Sequence, residues 1–375
     1  MKKHKLDFSI LVPIFLLAII SIISIQSASI YTSKSLGNLV IKQTVWYFIG
    51  GIFVFIVLKY KNTFLYKNSW FLYIIGNILL LGLLLFGTPV NNSKCWLVIP
   101  GIGSIQPSEF MKVFIMLVLA TMIHNFRSTY PNSSIKQEAS FIVKTLIVIL
   151  IPSILTFLQP DTGAVVIYFV IYFCMMFISG IRARWFILST IVIVLIISSI
   201  LALFFFKENS FIHIFGTSLY YRLDRIFDWK NGSGLQLENA LAAIGSSGFL
   251  GHGFKNNPIY FPEAPTDFIF AIYASNFGFL GVLIFFLIII YLDIQIINLC
   301  HKKYIGRDKY ILVGIFGMLV FQQIQNIGMT IGLFPIMGIT LPFISYGGSS
   351  LVSYMLLIGI ILNISNKKNR KYNYK

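Results

Sequence analysis

Charge is what this sequence has least of. Only 11% of its residues are charged and only twelve of its 375 are acidic, against about a quarter charged in soluble domains. An ordinary soluble fold is excluded. The three cysteines, Cys95, Cys174 and Cys300, fall in an outside loop, mid-span and at a cytoplasmic helix end. Neither a disulfide framework nor a cysteine zinc site is expected from them. Alternating segments of about ten residues are missing, which sets a transmembrane barrel aside. No Gly-Lys-Ser/Thr ends the glycine-dense stretch at 245–253 and no strand precedes it, so it is not a nucleotide loop. The first apolar stretch, about Phe8 to Ala28, is too long for a signal-peptide core and lacks a convincing small-residue cleavage site. It is expected to remain as a span.

What is present is apolar. Hydrophobic residues make up 57% of the chain, in recurrent runs of about 18 or more, each long enough to cross ~30 Å of hydrocarbon. The expected fold is an all-α polytopic membrane protein of about ten transmembrane helices, roughly 8–30, 40–58, 70–87, 107–125, 141–158, 163–180, 185–206, 267–296, 311–332 and 345–364. No internal repeat and no flanking soluble domain is recognised, so 1–375 reads as one membrane domain. The net charge of +17 is not spread evenly. Lys2, Lys3 and Lys5 precede the first span; Lys59, Lys61 and Lys67 follow the second; Arg127 and Lys136 follow the fourth; Arg182 and Arg184 follow the sixth; Lys302, Lys303, Arg307 and Lys309 follow the eighth. Five more basic residues form the tail. Clusters in alternate connections are the positive-inside pattern, which places both termini in the cytoplasm. Such charge meets anionic headgroups, and no nucleic-acid partner is expected.

One connection is long. Residues 207–266, between the seventh and eighth spans, are expected to form a large extracytoplasmic loop. It holds Glu208, Asp224, Asp228, Glu238 and Glu263, with Asp267 just beyond, half of all the acids in the chain. Long loops are usually functional or disordered, and the Phe, Tyr, Ile and Leu within this one argue against disorder. A helical patch at 235–244 suggests that it lies on the membrane surface. The active region is expected here.

Several motifs stand out, each with a bland reading beside the chemical one. Phe261-Pro262-Glu263-Ala264-Pro265-Thr266-Asp267-Phe268 puts a carboxylate where the loop re-enters the membrane; Thr266 and Asp267 are also good helix caps. In Gln106-Pro107-Ser108-Glu109-Phe110-Met111-Lys112, Glu109 and Lys112 share a helix face. They form either a plain ion pair or the lining of a cavity, since charges within a span are costly and face one another or a cavity. Gln159-Pro160-Asp161-Thr162-Gly163 suits a tight turn. Arg222 and Arg225 could grip a pyrophosphate, bind headgroups, or pair with Asp224 and Asp228. Gly245-Ser246-Ser247-Gly248-Phe249-Leu250-Gly251-His252-Gly253 could approach a phosphate or simply pack. Near the end, Pro335-Ile336-Met337-Gly338-Ile339-Thr340-Leu341-Pro342-Phe343-Ile344-Ser345-Tyr346-Gly347-Gly348-Ser349-Ser350 gathers turn formers and small polar residues before a final apolar helix.

Together with Asn326-Ile327-Gly328-Met329 and with Asp7, Ser27-Ala28-Ser29 and Lys42-Gln43, these motifs resemble the shape, elongation, division and sporulation family of RodA/FtsW type, over nearly the whole chain. The resemblance implies a peptidoglycan glycosyltransferase that polymerises lipid II at the outer face of the bacterial cytoplasmic membrane. It implies Asp267 as catalytic base and Glu109, Lys112, Arg222, Arg225, Glu263 and Ser345 as substrate-binding residues. No cofactor is certain; a divalent cation, Mg or Mn, could shield the diphosphate. A class B penicillin-binding protein is the implied partner. The sequence departs from the family at Ser275 and Asn276, where a Glu-Glu pair is usual, and at Cys95, where an Arg is common. A lipid II flippase, which intramembrane Glu109 and Lys112 also suit, and a non-catalytic scaffold, motivated by Ser275 and Asn276, stay open as alternatives. If the eighth span is one unbroken helix from Asp267, Ser275 lies about 80° around it and borders the same cavity, while Asn276, at about 180°, faces a neighbouring helix.

Overall fold

Short polar residues start helices by satisfying the first free backbone N–H groups. In the computed structural model, which describes residues 7–29, 38–87, 89, 93–99, 103–217, 220, 235–260, 262–302 and 306–366, Asp7 caps α1 (Phe8–Ala28) and Asn38 caps α2 (Leu39–Lys67). After α3 (Ser69–Phe86), an antiparallel hairpin of β1 (Leu97–Ile99) and β2 (Gly103–Ile105) pairs Leu97 with Ile105. Next comes α4 (Pro107–Thr129), whose Pro107 suits the first turn. A Ser134–Gln137 capping box opens α5 (Ile135–Leu158), and Asp161 opens α6 (Thr162–Phe177). Then follow α7 (Ala183–Phe206), α8 (Glu208–Phe215), α9 (Leu235–Ser246), α10 (Ile269–Lys302), α11 (Arg307–Thr330) and α12 (Gly348–Ser365).

Among the described residues, nine helices are long and apolar enough to cross a membrane. The tenth expected span is α6, which has 16 residues, about 24 Å of helix. It stops because Ile178, Ser179 and Gly180 turn the chain, with Gly180 at φ +80°. Between α7 and α10 the chain is described in part: α8 and α9 are seen, and α9 covers the expected helical patch.

Burial sorts the helices into an inside and an outside. α4, α11 and α12 are the most enclosed, and α7 buries only Phe204. Large apolar side chains such as Phe48, Phe55, Phe71, Phe279 and Leu287 cover the outer surface, as a lipid-facing wall requires. Inside, polar side chains link helices. Asn363 Nδ2 donates to Val57 O at 2.7 Å and to Asn62 Oδ1 at 3.0 Å, tying α12 to α2. Such bonds contribute roughly 0.6 kcal/mol each in a bilayer, so they align the helices more than they stabilise them.

The two ends of the bundle differ. At one, Tyr66 donates to Asp308, Arg307 to Asn125, and Trp185 Nε1 to Glu138; Lys59, Lys61, Lys67, Arg127, Arg182, Arg184 and Lys309 lie among these helix ends. At the other, the hairpin, the α5–α6 turn, the approach to α10 and the connection at 331–347 converge.

Candidate functional site

Everything around Asp267 follows from one tight turn. Glu263 adopts φ +54°, which lets its carbonyl accept from Thr266 N, Asp267 N and Phe268 N at 3.2, 3.1 and 3.2 Å. Thr266 Oγ1 donates to the Glu263 carboxylate at 2.8 Å. The helix begins only at Ile269, so Thr266 braces the turn. Asp267 is half-buried, and its carboxylate takes no hydrogen bond from the described residues. Its Oδ2 lies 3.8 Å from where a Cβ would stand on Gly338, which sits at φ +64°. A glycine there keeps the backbone unstrained and leaves the carboxylate uncovered. Burial, and then the charge of Glu263, push the Asp267 carboxyl up to about 7. Asp267 stands in the turn outside the spans.

The connection at 331–347 is clamped onto this turn. Ser345 Oγ donates to Thr266 O at 2.6 Å and accepts from Leu341 N at 2.8 Å, while Tyr346 N donates to Pro265 O at 2.9 Å. Asn326 Nδ2 reaches Asp267 O at 2.9 Å and Ile339 O at 2.8 Å. From the far side Ser21 Oγ donates to Ile344 O at 2.7 Å, and the Tyr47 hydroxyl donates to Phe343 O. Phe343 at φ +65° is held from both directions.

Glu109 and Lys112 form an ion pair of 2.6 Å, with side chains 9% and 1% exposed. The Tyr354 ring lies 5.2 Å from the ammonium, and Ser353 Oγ donates to Glu109 at 3.4 Å. The Tyr354 hydroxyl accepts from Gln322 Nε2 at 2.8 Å and lies 3.0 Å from Thr340 Oγ1. The pair thereby touches, through Tyr354, the segment that carries Gly338. Asp161 accepts from Gln106 Nε2, Ser108 Oγ and Ala164 N at 2.8, 2.9 and 3.1 Å, fixing the start of α4 to that of α6.

The glycine-dense stretch packs into a break in α10. Gly278 is non-helical at φ +59°, and Phe279 N and Leu280 N turn to Gly248 O and Phe249 O, both at 3.1 Å. His252 N and Gly253 N donate to Ser275 O and Asn276 O at 2.9 and 3.1 Å. A Cβ on Gly251 (φ +81°) would lie 2.3 Å from Asn276 O. The expected cavity position of Ser275 is corrected here. α10 neither starts at Asp267 nor runs unbroken, and Ser275 Oγ donates to Asn257 at 2.9 Å, with His252 Nδ1 3.1 Å away. Asn276 is buried, and its amide has no partner among the described residues.

The structure thus brings Asp267, Glu263 and Ser345 together and links Glu109 and Lys112 to them through Tyr354. Ser345 meets the turn through its hydroxyl, which donates to Thr266 O while accepting from Leu341 N. Arg222 and Arg225 lie outside the described residues. Missed as site residues were Asn326, Thr340, Tyr354 and Tyr47. Asn326 had a signal, its place in Asn326-Ile327-Gly328-Met329; Tyr354 and Tyr47 sit in ordinary apolar helix.

Comparison with known proteins bears on what this arrangement does. The family model FtsW/RodA/SpoVE, described as cell cycle protein, matches residues 8–370. The probable peptidoglycan glycosyltransferase FtsW of Thiomicrospira cyclica is 30% identical over 377 residues, covering 96% of this chain and 91% of that protein. The protein of the same name in Bacillus subtilis is 30% identical over 382 residues, covering 97% and 93%. Among solved structures, a chain from a peptidoglycan synthase complex that coordinates polymerization and crosslinking superposes with a TM-score of 0.79 at 22% identity, covering 97% of this chain and 99% of that one. The rod shape determining protein RodA of Thermus thermophilus gives 0.70 at 22% identity, covering 99% and 100%. At that identity the two structures bear on the fold.

Proposed function

The chain belongs to the FtsW/RodA/SpoVE family of cell cycle proteins, and from that premise we propose that it is a membrane-embedded peptidoglycan glycosyltransferase that polymerises lipid II with Asp267 as general base. The observation that carries the role of Asp267 is its half-buried carboxylate on a tight turn, without a hydrogen-bond donor among the described residues, facing Gly338, with its carboxyl pushed up to about 7. A general base works best with a pKa near the operating pH and an open path to the proton it takes.

In this reading the C4 hydroxyl of one GlcNAc gives its proton to Asp267 and attacks the anomeric carbon of a MurNAc diphosphate. The C–O bond to the diphosphate breaks as the new bond forms, with inversion in a single displacement. One carboxylate suffices, because the diphosphate leaves with electrostatic help rather than with a proton. Arg222 and Arg225 would supply that help from the long connection. Among the described residues no three His, Cys, Asp or Glu side chains gather to hold a metal. A divalent cation would therefore rest chiefly on the substrate's diphosphate oxygens and shield their charge, oxygen being what a hard cation prefers. Lys112 is enclosed by Tyr354 and Glu109, so it acts on substrate through the segment of Thr340 and Gly338. Ser345 and Asn326 hold the turn and that segment in register.

The basic end of the bundle faces the cytoplasm on the positive-inside rule, which puts Asp267 at the outer face and both termini inside. Crosslinking needs a second activity, and a class B penicillin-binding protein fits as partner. Labelled lipid II given to the purified chain tests the proposal. Long glycan products support it; transbilayer movement without polymer points to a flippase, and neither to a scaffold.

A further inference from the structure

A crevice on the lipid-facing side of the basic end is built from parts that polymerisation leaves unused. Pro152 lies inside α5; having no N–H, it cannot bond the carbonyl of Val148 four residues earlier. The Tyr73 hydroxyl of α3 donates to Val148 O instead, at 2.9 Å. Around this contact α3, α4 and α5 leave an apolar crevice of about 350 Å³ lined by Trp70, Tyr73, Met122, Lys144, Ile147 and Ile151. Trp70 stands edge-on to Tyr73 with ring centroids 5.8 Å apart and is 45% exposed. Lys144, one turn before Val148, is exposed and pairs with no carboxylate among the described residues.

We propose that this crevice binds an anionic phospholipid of the cytoplasmic leaflet, its acyl chain against Met122, Ile147 and Ile151 and its phosphate on Lys144. Trp70 is the second residue of α3 and follows Lys67 at the end of α2, the headgroup level where indole rings collect. Tyr73 bonds Val148, so Lys144 stands at that same level. A lysine on the lipid side of a span is costly unless its ammonium reaches a counter-charge at the interface. An apolar slot below it and an unpaired cation at its mouth match a lipid of net negative charge. The proposal takes only the orientation of the basic end from the function above.

Native mass spectrometry of the delipidated chain, titrated with phosphatidylglycerol or phosphatidylethanolamine of equal acyl length, tests it. Phosphatidylglycerol should bind preferentially, and Lys144→Gln should weaken it about fivefold, the effect of one basic residue near a membrane surface. Lys144→Arg should restore binding, and Ile147→Trp, which fills the slot, should weaken it with the charge intact. Equal binding of the two lipids overturns the proposal, as does equal binding by the native chain and either Lys144→Gln or Ile147→Trp. So does a polyprenyl phosphate that displaces phosphatidylglycerol from the native chain but not from Ile147→Trp. Lys144 is exposed, so folding is not at stake, and glycan synthesis is not read.

Discussion

Asp267 and Asn326 divide one task between a reacting group and the group that holds it. The ionised carboxylate is the active form, so polymerisation should rise with pH through about 7 and level off above. Below that value the rate should fall about tenfold per unit, as for any single essential base. Initial rates between pH 5.5 and 8.5 check this; a flat profile would leave Asp267 without the assigned role. Asn326 donates to two backbone carbonyls, Asp267 O and Ile339 O. Asn326→Leu keeps the branching and heavy-atom number of the side chain, though it is bulkier, but has no donor, and each buried carbonyl left unpaired costs about 1–3 kcal/mol. Its thermal midpoint in detergent should fall, and its turnover should fall more than its substrate affinity, because the turn rather than a binding contact is released. An unchanged midpoint would contradict the clamp.

At the scale of elements, two predictions concern how α4 and α10 are held. Lys112→Ala strands the Glu109 charge in a low-dielectric interior, whereas Lys112→Met with Glu109→Gln removes both charges. Folded yield in detergent should therefore be lower for the single variant than for the double one. Equal yields would count against the pair. Gly251→Ala places a Cβ against Asn276 O at a backbone angle that only glycine takes without strain. Limited proteolysis within residues 247–260 should then quicken, and an unchanged digestion pattern would show that the docking at the α10 break carries no strain. The helices themselves were legible because apolar runs are local, whereas the caps at Ser134 and Asp161 emerge only in the structure. Asp267 and the Glu109–Lys112 pair were legible because their motifs are short. The break at Gly278 was not, since a glycine in an apolar helix is often tolerated. What decides it is Gly251, 27 positions earlier. The helical wheel misplaced Ser275 for a different reason: Asp267 stands in the turn before the helix begins at Ile269, so the two positions share no helical phase. Ser345, visible as part of a turn-rich run, turned out to clamp Thr266 by contacts no local pattern encodes.

For the whole molecule, catalysis at one membrane face requires two chemically different ends. Asn209→Cys, at an exposed position of α8, and Lys136→Cys, at an exposed position at the start of α5, should react oppositely with a membrane-impermeant thiol reagent on intact cells, the first labelled and the second protected. Of the native cysteines, Cys95 and Cys300 are buried and Cys174 is part-buried in a span, so background labelling should be low. Labelling of Lys136→Cys alone would invert the assigned topology. The proposal as a whole meets its most direct test in one comparison, the rate of glycan polymerisation from labelled lipid II by the native chain and by Asp267→Asn at pH 8. An amide keeps the shape of the carboxylate but cannot accept the proton, and a positioned general base contributes about a hundredfold or more. Loss of that size with unchanged expression and thermal midpoint is the predicted result; polymerisation within a fewfold of the native rate would contradict it.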